Sequence, residues 1–328
     1  MAILSKKVLL NRIVDAVHEC NWNVLYISAK HPFRLNVFRD DTNYRIKTYI
    51  WNLTHGGGSA RPGNEYRIQV KVREDFEEEA GWTTLILGWW EDVGVFAGFD
   101  LRKHYGLPGW SSSIQVKKEA LENAYINGFA AADKGNQETA MAFRPDFFIH
   151  YLQNLESLHD FGQSSADLET LNTVSANPEI NEQDIPITNR ERKTAVVTLR
   201  KKLRDVSFRK RVLTAYNSRC AICGMQLSLV EAAHIVPVYE NGTEETANGL
   251  ALCALHHKAY DSSIITVLED YSIKLSETKV SQLKDNGLDG GLEDFKNSLR
   301  PIIHLPPATY DRPHIEYIRL ANQIRAWS

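Results

Sequence analysis

Apolar residues between Lys6 and Cys20 recur three and four positions apart, the spacing of an amphipathic helix. Short β-rich runs follow, WNVLYIS, FRLNVF, YRIKTYIW, YRIQVKV, WTTLILGWW and VGVFAGF, with glycines and polar residues between them, notably Gly56-Gly57-Gly58. Two further helical stretches, around Lys117 to Ala131 and Pro145 to Leu155, close a mixed α+β domain over residues 1–158.

The pattern then changes. Residues 159–189 are rich in Ser, Asn and Thr and poor in aromatics, and from Glu156 to Asn189 the chain holds seven acids and no Lys or Arg, which predicts a solvated acidic linker. Beyond it, RERKTAVVTLRKKLRDVSFRKRVLTAY predicts a helix with an apolar stripe of Val196, Leu199, Leu203, Val206, Val212 and Leu213. From Arg190 to Arg211 that helix carries ten Lys and Arg against two acids. Such a run is either a solvated face or a phosphate-binding one. Arg200, Lys201, Arg204, Arg209, Lys210 and Arg211, with Lys258 further on, are the candidates for contact with a nucleic-acid backbone, because neutralising phosphates releases counterions.

A chain of 328 residues exceeds one ordinary core, so two domains are expected, with the second spanning residues 190–328. The net charge of −3 conceals a division: residues 190–328 carry 20 Lys and Arg against 16 acids, whereas residues 1–155 are neutral. Lys6, Lys7 and Arg12 interrupt the apolar residues at the start, so neither a signal peptide nor a membrane span is expected there, and a cytoplasmic location follows.

Three of the four cysteines fall within 34 residues. Cys220-Ala-Ile-Cys223 and Cys253-Ala-Leu-His256 supply three thiolates and one imidazole, a complete tetrahedral shell for a structural Zn²⁺. The adjacent His257 faces elsewhere: on a helix it converges with Asp261, four residues on, while His256 is turned about 100° away toward Cys253. Upstream, Glu231-Ala-Ala-His234 ends a β-type run, and Asn248-Gly249 precedes the second knuckle.

The motifs RCAICG, EAAHIVPV, NGLALCALHHKAYD and YSIKLS, in this order between Arg211 and roughly Leu275, resemble the HNH nucleases of the ββα-metal fold, closest to C-terminal modules of predicted restriction endonucleases. The resemblance implies a zinc-stapled HNH domain in which His234 is the general base, Asn248 positions its loop, and His257 and Asp261 hold a catalytic Mg²⁺ or Mn²⁺. Many relatives place a metal ligand directly before the base; here that position is Ala233. Glu231 is set aside as a replacement because an offset of three along a strand turns it to the face opposite His234.

The implied function is a DNA endonuclease of a restriction system, with modification dependence as one form of it, acting in antiviral defence on double-stranded DNA as a homodimer. Two other readings stay open: a nuclease effector whose N-terminal domain senses a small signalling molecule, and a zinc-dependent DNA-binding protein without catalysis. In the N-terminal domain, six tryptophans from Trp22 to Trp110 read mainly as core, and the loop YGLPGWSSS as a candidate ligand contact.

Overall fold

The computed structural model describes residues 3–55, 63–70, 76–106 and 112–327. Gly56-Gly57-Gly58, Trp110 and most of the YGLPGWSSS loop lie outside the described residues. The chain divides into two compact units, residues 1–203 and 204–328.

In the first unit, helix α1 (Lys6–Glu19) starts at an Ser5 side chain that accepts from the Val8 N–H, and it buries Leu9, Leu10, Ile13, Ala16 and Val17. Strands β1 (Asn23–Ser28), β2 (Phe33–Arg39) and β3 (Thr42–Asn52) form an antiparallel meander. After β4 (Glu65–Gln69), strand β5 (Thr83–Trp90) pairs parallel to β3, and β6 (Val95–Phe99) returns antiparallel. Strand β7 (Ser113–Lys117) pairs with β4 as a separate ribbon. Helix α2 (Lys118–Asn127) leads into β8 (Phe129–Gly135) and β9 (Glu138–Phe143), completing a seven-stranded sheet of order β1-β2-β3-β5-β6-β9-β8. Every residue from Thr84 to Trp90 is buried, so both faces of this strand are covered, and Trp89 and Trp90 are core.

The helix expected to run to Ala131 stops at Gly128, whose φ of 97° is open to glycine and breaks the helical ladder; Phe129 onward is strand instead. Helices α3 (Phe148–Gln153) and α4 (Leu155–His159) follow.

The acidic stretch departs from a linker. Helix α5 (Ser165–Ala176) buries Leu168, Leu171 and Val174, a stripe short enough to be masked by polar composition. Its Asn172 amide accepts from the Ala131 N–H at 2.8 Å and donates to the Ala131 carbonyl at 2.9 Å, closing the exposed edge of β8. The absence of Lys and Arg is made good from outside: Arg192, in the first turns of helix α6 (Arg190–Ala215), pairs with Asp167 at 2.7 Å. Residues 159–189 thus fold with the first unit, and the boundary between units falls inside α6 at Leu203.

The second unit contains the rest of α6, an antiparallel hairpin of β10 (Val230–His234) and β11 (Gly249–Cys253), and helix α7 (Ala254–Asp261) directly after it. A small ribbon of β12 (Ile265–Val267) and β13 (Ile273–Leu275) is followed by α8 (Glu277–Asp285), α9 (Leu292–Ser298) and α10 (Ile315–Ile324). Phe208 and Val212 of α6 pack on the hairpin where Gly249 lacks a side chain; a Cβ there would stand 2.3 Å from Val212 Cγ2. The C-terminal tail is part of this core: Ile318 and Ala321 are buried, and Arg325 donates to the Ile235 carbonyl at 3.0 Å and lies over the Tyr260 ring. Among the described residues, no helix is long and apolar enough to cross a membrane.

Candidate metal centres and hydrolytic site

Two groups of side chains flank α7. Cys220, Cys223, Cys253 and His256 bring one ligand atom each to within 4.8 Å of one another. Cys220 Sγ lies 3.7 Å and Cys253 Sγ 3.1 Å from His256 Nδ1, and Cys223 Sγ lies 3.9 Å from Cys253 Sγ. Zinc–sulfur bonds of about 2.3 Å in a tetrahedron set ligands roughly 3.8 Å apart, so this donor set fits Zn²⁺.

The tautomer of His256 is fixed by a residue that the sequence did not single out. Ser298 Oγ spends its proton on the Phe295 carbonyl at 2.6 Å, so toward His256 Nε2, at 3.1 Å, it can only accept. The ring proton therefore sits on Nε2 and the Nδ1 lone pair faces the sulfurs. Burial raises the Cys223 and Cys253 thiols. Although burial also acts against it, Cys220 is brought below the ordinary thiol value by His256 and by backbone hydrogen bonds at Cys253, Cys223 and Ile222.

His257, the other neighbour, faces away from this cluster. Its Nε2 lies 3.6 Å from Asp261 Oδ2, one turn on, and its Nδ1 lies 2.7 Å from Glu231 Oε2. The Glu231 contact raises the His257 pKa against the effect of burial, with Asp261 adding to it. Glu231 therefore meets His257 directly, a contact that its face of the strand alone does not reveal. It does leave β10 on the face opposite His234, but that is the face α7 covers, and His257 is there to meet it.

His234, the last residue of β10, points to the α6 side. Its ring stacks on Phe208 with centroids 3.8 Å apart and planes within 5°, and its Nε2 lies 3.4 Å from Glu244 Oε2. The hydrogen bond to His234 holds the Glu244 carboxyl below its usual value against burial, and the nearby Arg204 and Arg211 act in the same direction. No hydrogen bond or ion pair joins His234 to His257 or Asp261 among the described residues.

Asn248 is fully buried. Its Oδ1 accepts from the Val236 N–H at 2.9 Å, and its Nδ2 donates to the carbonyls of Val236 at 3.0 Å and Thr243 at 2.8 Å. This side chain fixes the backbone two residues beyond His234 and the loop that carries Glu244. Of the basic candidates, Lys201, Lys210, Arg211 and Lys258 are exposed, while Arg200, Arg204 and Arg209 are half-buried.

Residues 220–268 match the family described as HNH endonuclease, and residues 44–152 match the family described as Methylase-associated X1. Two separate stretches of the chain are thus similar to known domains, the first unit's sheet region to a methylase-associated X1 domain and the hairpin-and-α7 region to an HNH endonuclease domain. A solved structure described as a modification-dependent TagI restriction endonuclease is similar at 12% identity, over 84% of this chain and 80% of that one, with a TM-score of 0.31. No curated protein matches.

Proposed function

We propose that the protein is a restriction-type DNA endonuclease that hydrolyses phosphodiester bonds with His234 as general base. The observation that carries this reading is the setting of β10. On one side His234 is held between Phe208 and Glu244 beside the basic helix α6, and on the other His257 and Asp261 stand together on α7.

With Glu244 at Nε2, the ring proton resides there and Nδ1 takes the proton of the attacking water, as an imidazole can near neutral pH. The oxygen of that water forms a bond to phosphorus as the bond to the 3′ oxygen breaks, and the departing 3′ oxyanion takes a proton from solvent. Arg204 and Arg211, close to Glu244, favour a phosphate at this end of the hairpin. Asn248 keeps the segment after His234 from moving. His257 and Asp261 would hold a divalent ion, Mg²⁺ or Mn²⁺, which when bound supplies Lewis-acid stabilisation of the phosphate charge. A site with two protein ligands suits Mg²⁺, which keeps most of its waters. The Cys₃His cluster, all of whose positions are filled by protein, would hold Zn²⁺ as a structural staple.

The coupling of a methylase-associated domain to an HNH domain supports cleavage conditional on the state of the DNA, the logic of a restriction system in antiviral defence. Cutting both strands of a palindromic duplex would draw on two copies of the chain. Incubation of the purified protein with Mg²⁺ or Mn²⁺ and phage DNAs differing in base modification tests this: one class of DNA should be cut and the others spared.

A second reading has its own support. Residues 1–155 carry as many acids as bases, whereas a dedicated DNA reader is commonly basic, so the first unit would instead sense a small signalling molecule and license the nuclease. Cleavage of every DNA class once a nucleotide messenger is added would favour it.

A further inference from the structure

We infer that Glu231 is a positioning residue for the catalytic metal, accepting the Nδ1 proton of His257 so that Nε2 and the Asp261 carboxylate are left to grip the ion. This rests on the reading of His257 and Asp261 as metal ligands. The two carboxylates lie at different nitrogens of one ring: Glu231 at 2.7 Å from Nδ1, Asp261 at 3.6 Å from Nε2. A metal ion bonds an imidazole through one nitrogen, and Asp261, on the same helix face as His257, marks which one. A carboxylate opposite the bound nitrogen fixes the tautomer and ring angle and raises the basicity of the ligand.

The arrangement follows from chain geometry. Glu231 is two residues from Ala233 and shares its face of β10, so it reaches the site from the strand position nearest to the one where relatives carry a ligand. Its side chain is long enough to meet the far edge of the His257 ring. A residue missing at 233 as a direct ligand is thus answered by support from behind the remaining one.

Titration of the full-length protein with Mn²⁺, read by the electron paramagnetic resonance signal of free Mn²⁺, tests this with no need for turnover. Glu231→Ala should weaken binding about 10- to 100-fold, while Glu231→Gln, whose amide oxygen still accepts from Nδ1, should recover most of it. Zinc content and thermal midpoint should stay at wild-type values in both. Unchanged binding in Glu231→Ala, with His257→Ala still abolishing it, overturns the role of Glu231. Equal losses in the Ala and Gln variants overturn it too, because a direct metal–carboxylate bond would then be the better explanation. If His257→Ala leaves Mn²⁺ binding intact, the metal site itself is misplaced and this inference falls with it.

Discussion

His234 lies flat on Phe208, ring over ring at 3.8 Å, so the face of the proposed base is set by a residue of the basic helix. Phe208→Leu keeps apolar volume at the contact but removes the flat surface. The expected cost is on the order of 1 kcal/mol in stability and a fall of about tenfold in cleavage rate. Single-turnover rates at saturating DNA, set beside thermal unfolding, separate the two effects.

Glu244 acts on the same ring from its edge. Glu244→Gln retains a hydrogen-bond acceptor but removes the charge that stabilises an imidazolium, so kcat should fall by about 10- to 100-fold with little change in KM. Steady-state kinetics on a fixed duplex provides the check.

A zinc ion in the Cys₃His cluster would depend on Ser298 as well as on the four ligands. Ser298→Ala frees the His256 ring to turn and should lower zinc affinity about 10- to 100-fold, measured by competition with a chromophoric chelator. Cys253→Ser removes a ligand outright. Structural zinc contributes on the order of 10 kcal/mol to folding, so that variant should lose the cooperative unfolding of the second unit.

Asn248→Ala leaves the Val236 N–H and the carbonyls of Val236 and Thr243 without their partner in a buried place. A loss of about 3 kcal/mol is expected, read as a lower denaturant midpoint with an unchanged slope.

Acid should weaken the first unit. Burial lowers the pKa of His150 to about 3 and of His159 to about 4. His150 Nε2 is buried with no hydrogen-bond partner among the described residues, and in His159 Nδ1 donates to the Thr139 carbonyl at 3.1 Å and Nε2 accepts from the Tyr151 hydroxyl at 2.9 Å. Both rings take up a proton more readily unfolded, near pH 6.5, than folded. Their stabilising effect is therefore full above about pH 6.5 and is lost progressively as pH falls toward the folded values. Midpoints measured from pH 7.5 to 4.5 should fall, and His159→Gln should flatten the slope.

The strands and the chemistry were legible to different depths. FRLNVF announces itself by alternation, and WTTLILGWW as a short unbroken run rich in β-branched and aromatic residues. Strand β9 does not, since ETAMAF has only one β-branched residue and little aromatic content. The acidic stretch reads as a linker because composition averages over a helix whose three buried apolar residues, Leu168, Leu171 and Val174, are outnumbered by polar ones. At the site, ligand spacing located the Cys₃His cluster and set His256 apart from His257. The partners of His234, His256 and His257, namely Phe208 and Glu244, Ser298, and Glu231 respectively, lie outside the elements that carry those histidines or are brought to them only by folding. For Glu231 the alternation rule was sound, but which face of β10 meets α7 is a tertiary fact.

The most direct test compares the wild-type protein with His234→Ala in cleavage of a susceptible duplex in Mg²⁺ or Mn²⁺, with zinc content and duplex binding measured on the same samples. The expected result is that His234→Ala binds DNA and zinc as the wild type does while its cleavage rate falls by about three orders of magnitude. Equal cleavage by the two proteins would contradict the role of His234, and a zinc-loaded, DNA-bound wild type that cuts no duplex with either ion would contradict the nuclease itself.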